Sequence, residues 1–184
     1  MSPLAAIALG AGSAAIVALS WRSLRRPGSH GFYRFFAFEL LLALVVVNAG
    51  VWFVAPFGAR QLVSWCLLTG SIPLAVHGFH ALHAAGRPAA PAAGATELGW
   101  ENTTALVTTG AYRHIRHPLY SSLLLVAWGA ALKHVSPPSL ALAAAVSAFL
   151  FATAKADEQE CLQRFGAAYR DYIARTRMFV PFLL

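Results

Sequence analysis

The chain has 184 residues, of which 58% are hydrophobic and only 11% are charged, whereas about a quarter of the residues of a soluble domain are charged. This composition predicts an integral membrane protein. The net charge of +7 would suit a nucleic-acid-binding protein, but its distribution excludes that class: with five membrane crossings, twelve of the 14 basic residues fall on one side, and only Arg60 and Lys133 on the other. The asymmetry follows the positive-inside rule and predicts an outside N-terminus and a cytoplasmic C-terminus. The membrane would be the plasma or inner membrane if the protein is prokaryotic.

The N-terminal half contains three apolar runs, each long enough for a membrane-spanning helix. The first helix is predicted over 4–20, the second ends near Pro56, and the third covers 61–84. Glu39 lies inside the second helix, where a carboxylate is a functional candidate by default. An ion pair with Arg34 or another cytoplasmic arginine is the simpler interpretation.

Three histidines, His77, His80 and His83, lie at the cytoplasmic end of the third helix. They raise the alternative hypothesis of a non-enzymatic haem- or metal-binding membrane protein. Residues at i, i+3 and i+6 drift about 60° per step around a helix, however, which does not converge well on one ion. Interfacial histidines are the preferred interpretation, and no metal site is predicted. Cys66 and Cys161 lie in different regions, so no disulfide is predicted either.

A linker rich in proline, alanine and glycine follows, over 86–105, and either a lid or a plain tether is consistent with it. Next comes the most polar stretch, Gly110-Ala-Tyr-Arg-His-Ile-Arg-His-Pro-Leu-Tyr120. Pro118 favours the first turn of a helix and disfavours helical geometry at His117, so a helix is predicted to begin there. Basic residues at a helix N-terminus favour an anionic or zwitterionic ligand, but an interfacial collar of positive charge fits equally well.

Two shorter apolar runs, 118–132 and 139–154, are joined by a proline-containing turn and predict a helical hairpin. A separate cytoplasmic amphipathic helix is predicted over 156–174 from its apolar residues at spacings of three to four. Glu158 falls within that apolar stripe and needs a cationic partner, so it is a functional candidate. Asp157 at the stripe's edge suits a structural ion pair, and Glu160 is predicted to point to the polar side. The predicted fold class is all-α, a membrane bundle of about five helices followed by this amphipathic helix.

These motifs resemble the isoprenylcysteine carboxyl methyltransferase family, which is itself similar to the phospholipid methyltransferases. The resemblance covers 106–184 and depends on separated motifs in the family's order, with two departures at Asp157 and Ser122, where the family usually has Glu and Gly. The matching residues are Gly110, Tyr112, Arg113, Arg116, His117, Pro118, Tyr120, the pair Asp157-Glu158, Phe165-Gly166, Tyr169, Tyr172 and the tail ending at Pro181.

The resemblance implies an enzyme that binds S-adenosyl-L-methionine in 106–184, with 1–85 forming the entrance for a hydrophobic or lipid-like acceptor. It implies catalytic roles for Arg116 and Glu158. It also implies cofactor contacts from Tyr112, Arg113, His117, Pro118, Leu119, Tyr120, Asp157 and Glu158.

The acceptor implied by the name-giving members of the family is the carboxylate of an isoprenylcysteine. A carboxylate is already ionised at neutral pH and needs no general base. An amine or thiol acceptor would need one, and His114, His117 and Glu158 are the candidates. The sequence does not choose between these acceptors.

Overall fold

The computed structural model describes residues 2–85 and 103–181. Six α-helices follow one another: α1 Pro3–Leu24, α2 His30–Asn48, α3 Ala59–Ala84, α4 Pro118–Ala131, α5 Pro137–Phe165 and α6 Ala167–Arg175. Short 3-10 turns cover Ala49–Val51 and Gly110–Arg113. The described ranges contain no strand, and their single bridge pairs Ile115 with Arg177 in parallel.

Four helices, α1, α2, α3 and α5, are long and apolar enough to cross a membrane. The fifth apolar helix, α4, has 14 residues and so rises only about 21 Å. Large apolar side chains on the outside of the bundle, such as Ile7, Ile72 and Phe151, are half exposed or more, as lipid-facing residues would be. The predicted all-helical membrane bundle is therefore confirmed, with α4 and α5 as its hairpin.

Small residues allow the helices to approach closely around α2, α4 and α5. Leu44, Val146 and Leu150 are fully buried there, together with alanines at 127, 130, 131 and 143. Between α3 and α4, the Ser64 hydroxyl donates to the Gly129 carbonyl over 2.6 Å. At the same end of the bundle, Lys133 is completely buried. Its ammonium group donates to Gln61 and lies 3.2 Å from the Trp65 ring centroid, which fixes the α4–α5 turn against α3.

The ion pair predicted for Glu39 is wrong. Among the described residues its two carboxylate oxygens accept from the Ser13 hydroxyl, at 3.0 and 2.9 Å, and no arginine pairs with it. Ser13 lies on α1, so the bond joins the first two helices. The carboxylate of Glu39 is thus hydrogen-bonded to a neutral hydroxyl and not paired with a cation, and it contributes to the packing of α1 against α2.

The predicted break between the hairpin and the amphipathic helix is also wrong. One continuous helix, α5, runs through Lys155 and the acidic residues to Phe165. The sequence becomes polar at 155, but it contains no glycine or proline that would end a helix before Gly166. Gly166 has φ +56° and ψ −124°, a conformation available almost only to glycine. The chain turns there, and α6 is consequently only nine residues long.

The ends of four apolar helices meet at one end of the bundle. They are the first residues of α2 and α4 and the last turns of α3 and α5, and α6 packs beside them. This arrangement places His117 and the acids of α5 together, as the sequence predicted. The linker over 86–102 lies outside the described residues, so the choice between lid and tether is not decided, and the proposed division at 85 and 106 stays a prediction.

Candidate active site

The polar motif before α4 is held in place by the C-terminal segment. The backbone N–H groups of Arg116 and His117 donate to the carbonyls of Arg177 and Met178, at 2.7 and 3.1 Å, and Arg177 N–H donates to His114 over 3.0 Å. The Ser121 hydroxyl adds a bond to the Phe179 carbonyl. Residues 177–179 therefore act as a strap across the motif, although they lie about 60 positions later in the chain.

Helix α4 begins at Pro118, as predicted. His117 occupies the N-cap position with φ −125° and ψ 61°, and its side chain makes no capping bond. The ring instead stacks on Tyr120, with centroids 5.3 Å apart. The imidazole can therefore face the acids of α5.

Asp157 and Glu158 take opposite positions around this histidine. Asp157 lies 3.5 Å from His117 Nδ1 and accepts from the Tyr120 hydroxyl over 3.4 Å. Glu158 accepts from Arg116 Nε over 2.7 Å and pairs with Lys155 over 3.2 Å. Asp157 therefore forms its ion pair with His117, while Glu158 takes the Arg116 partner that the sequence offered to either acid.

A cavity lies between the motif, α5 and α6. Its charged residues include Arg116, Arg164, Asp157 and Glu160, and its aromatic residues include Tyr169. Guanidinium, carboxylate and aromatic groups in the lining of one cavity suit a ligand that carries both an anionic and a cationic group.

The nine site residues implied by the resemblance fall into two groups, those that line the cavity and those that do not. Six of them line the cavity: Tyr112, Arg116, His117, Leu119, Tyr120 and Asp157. Three do not. Arg113 is exposed on the surface, Pro118 is buried in the packing of α4, and Glu158 lies behind Arg116. Ser122 is also absent from the lining, because its hydroxyl turns back to the Leu119 carbonyl.

His117 is buried and has an unusual environment. Burial alone would lower its pKa, but the neighbouring carboxylates of Asp157 and Glu158 outweigh that effect and raise the pKa above the ordinary 6.5. In the described chain its Nε2 makes no hydrogen bond, but it lies 3.6 Å from a Glu158 oxygen, which is an ion-pair contact when the ring is protonated.

The phenols of α6 have different roles. The Tyr172 hydroxyl donates to the Tyr112 carbonyl over 2.6 Å, which fixes α6 to the motif. Burial raises the pKa of Tyr169 far above its ordinary value. Both rings therefore stay neutral and present aromatic surface to the cavity.

Sequence reasoning missed several cavity residues. His30, at the start of α2, had no distinguishing signal in the sequence. Glu160 was predicted to face the polar side, which is wrong because it lines the cavity. The signal was present in the helical spacing: 157, 160, 161 and 164 lie at i, i+3, i+4 and i+7, on one face. The other lining residues that had no predicted site role are Leu82, Thr103, Leu106, Val107, Cys161, Arg164, Phe165, Tyr169 and Tyr172.

The three histidines of α3 do not form a metal centre. Within 2–85 and 103–181, no three His, Cys, Asp or Glu side chains are grouped so as to hold a metal ion. The His77 ring lies against the Cα of Gly110, and His83 packs on Phe79 with centroids 5.1 Å apart. Packing contacts account for these two side chains, so the haem or metal alternative is not favoured.

Comparison with known proteins agrees with this geometry. The family model described as phospholipid methyltransferase matches residues 59–168. Methanethiol S-methyltransferase 2 of Bradyrhizobium diazoefficiens is 35% identical over 70 residues, 38% of this chain and 26% of that protein. Methanethiol S-methyltransferase 1 of the same organism is 29% identical over 70 residues, 38% of this chain and 24% of that protein. The matches thus span about a quarter of these relatives. No solved structure matches the chain.

Proposed function

The chain belongs to the phospholipid methyltransferase family, and on that premise we propose that it is a membrane-embedded methyltransferase that uses S-adenosyl-L-methionine. Its acceptor is a hydrophobic or lipid-like molecule that presents an ionised group, with a carboxylate as the first candidate. The matched segment contains the polar motif, α4, and α5 with its three acids.

The observation that carries the proposal is the mixed character of the cavity wall. S-adenosyl-L-methionine has a carboxylate, an ammonium and a sulfonium, and its sulfonium supplies an activated methyl group for transfer. Arg116 offers a donor for the anionic group, and Asp157 a carboxylate for a cationic one. The faces of Tyr112, Tyr120 and Tyr169 suit a soft cation.

The structure supports an acceptor that needs no general base. Of the three candidate bases, His117 has a raised pKa and favours the imidazolium form. Glu158 is paired with Arg116 and Lys155, and His114 does not line the cavity. A carboxylate, with a reference pKa of about 4, is ionised without help. The protein's own contribution would then be to align the two reactants and exclude water.

Arg116 is oriented for this task by fixed partners. Its Nη1 donates to the Thr176 carbonyl over 2.6 Å while Nε binds Glu158. Under this proposal Arg116 contacts ligand, and Glu158 is a positioning residue that keeps the guanidinium in place.

A thiol is the second candidate acceptor, because both matched relatives are named for methylation of methanethiol. A thiol has a reference pKa near 8.5, so at neutral pH only its minor thiolate form would accept the methyl group. Its rate of methylation would rise with pH well above neutrality, whereas that of a carboxylate would not.

The orientation in the membrane is part of the proposal. The cavity opens at the helix ends that carry most of the basic residues, and the positive-inside rule assigns that side to the cytoplasm. The cofactor would enter from there, and a hydrophobic acceptor would enter from the lipid side.

The test uses the purified chain in detergent with methyl-labelled cofactor. Three acceptors are offered separately: an S-prenylated N-acetylcysteine, vesicles containing phosphatidylethanolamine, and methanethiol. Label in the first supports the carboxylate proposal, and label in the second or third replaces it with an amine or thiol acceptor. Asp157→Asn is expected to reduce cofactor binding about tenfold or more, with the exposed Asp171→Asn as its control. Absence of saturable cofactor binding by the natural chain would refute the enzyme proposal.

A further inference from the structure

His30 and Glu160 join the N-terminal half of the protein to the cavity. They lie 130 positions apart, yet both oxygens of the Glu160 carboxylate are bound by this one residue. The His30 backbone N–H donates to Oε1 over 3.0 Å, and the ring Nδ1 lies 2.7 Å from Oε2. Two bonds to one carboxylate prevent it from rotating, so its position is determined by the start of α2.

Both side chains belong to the cavity wall. The histidine side chain is almost fully buried at 5% exposure, while the glutamate side chain keeps 33%. Glu160 follows Asp157 by one turn of α5, so the two carboxylates lie on the same face. In this pair, His30 is buried and holds Glu160, whose carboxylate stays accessible from the cavity.

The acids near the cavity differ in how many further hydrogen bonds they can accept. The carboxylate of Asp157 already accepts from the Tyr120 hydroxyl and from the Cys161 thiol at 3.7 Å, and it pairs with His117. Glu158 does not reach the cavity. A carboxylate has about four lone-pair sites, and in the described residues Glu160 gives two of them to His30. Glu160 therefore has the greater capacity to accept from a ligand.

We propose that Glu160 binds the ammonium group of the cofactor and that His30 is the positioning residue that orients it. This inference rests on the proposed function, because it names the wall on which the cofactor's ammonium lies. It also gives α2 a role in cofactor binding, although the resemblance assigned that role to 106–184 alone.

Two adenosine compounds separate this contact from a merely structural one. S-adenosylhomocysteine has the ammonium group, and 5′-methylthioadenosine lacks the amino-acid portion. The dissociation constant of each is measured by equilibrium dialysis with the full chain in detergent. Glu160→Gln is expected to weaken S-adenosylhomocysteine about tenfold and 5′-methylthioadenosine less than about threefold.

The variants at position 30 test the positioning role. His30→Ala should reproduce the selective loss, because the carboxylate is free to rotate. His30→Asn should bind S-adenosylhomocysteine within about threefold of the natural chain, since its amide nitrogen can replace Nδ1–H as the donor. His80→Ala, on the exposed surface of α3, is the matched control and should bind both compounds normally.

The inference is overturned if Glu160→Gln weakens both compounds equally or neither, since the first result indicates general damage and the second no contact. Failure of His30→Asn to restore binding would remove the positioning role. If the natural chain binds neither compound, the proposed function falls as well, so the two failures can be told apart.

Discussion

Arg116 and Glu158 form a buried ion pair, with Nε and Oε1 separated by 2.7 Å and side-chain exposures of 9% and 8%. The pair joins the motif before α4 to the C-terminal part of α5, across 42 positions of sequence. Because the guanidinium also lines the cavity, the geometry of the cavity wall depends on an acid that does not itself line it.

Glu158→Ala is expected to lower the free energy of unfolding by about 3–5 kcal/mol, because it leaves the buried guanidinium without its carboxylate. The Lys155 contact adds little, since that side chain is 52% exposed. The measurement is unfolding in mixed micelles. Asp171→Asn, at an exposed position, should change the free energy by less than about 0.5 kcal/mol. If Glu158→Ala unfolds with the same free energy as the natural chain, the ion pair does not stabilise the fold.

The environment of His117 predicts a pH dependence of stability. Its folded pKa is raised because the two carboxylates outweigh burial, so the folded state binds the proton more tightly than the unfolded chain. The resulting stabilisation is complete below the unfolded value of about 6.5 and is lost as pH rises through the higher folded pKa. The unfolding midpoint of the natural chain should therefore fall between mildly acidic and alkaline pH.

His117→Gln cannot take up this proton, so its midpoint should change less over the same range. Other titrating groups affect both proteins, and the difference between the two curves isolates His117. Parallel curves would contradict the raised pKa.

The Tyr172 hydroxyl is expected to contribute measurably to the fold. Tyr172→Phe leaves the Tyr112 carbonyl without the donor that now lies 2.6 Å away. The loss should be about 1–3 kcal/mol, measured by denaturant unfolding. Tyr33→Phe is a suitable control, because that half-buried phenol makes no hydrogen bond among the described residues. Equal effects of the two substitutions would contradict a specific role for the bond.

Gly110 is required by its backbone conformation. Its φ of +61° lies in the left-handed region, so Gly110→Ala should cost about 1–2 kcal/mol. A methyl group there would also meet the His77 ring, but that ring is at the end of an exposed side chain and can turn away. The same cost is therefore expected in a His77→Ala background.

Gly10→Ala provides the comparison, because it lies inside α1 with no atom within 4 Å of a new Cβ. It should be neutral or stabilising by up to about 1 kcal/mol. A full rescue of Gly110→Ala by His77→Ala would show that the cost is steric instead of conformational.

Local rules were sufficient for the membrane helices and for the start of α4. Apolar length is a property of the chain itself, and the effect of Pro118 on His117 acts between adjacent residues. The same kind of reasoning failed at 155, where a change in polarity was interpreted as a helix end. Only a change in backbone preference ends a helix, and that change comes at Gly166.

The assignment of the acids failed for another reason. The helix periodicity correctly showed that Glu158 needs a cationic partner, but several arginines were available, and the choice of Arg116 depends on how α5 packs. The contact of Glu160 with His30 and the strap of 177–179 across the motif join residues that no local pattern connects.

The sequence by itself determined that this protein is a helical membrane bundle of the phospholipid methyltransferase type, because hydrophobic length and motif order are written along the chain. Only the tertiary structure decided that Asp157 and Glu160 face the cavity while Glu158 supports Arg116. Adjacent helical residues point about 100° apart, and which direction becomes a cavity depends on the elements that pack around the helix.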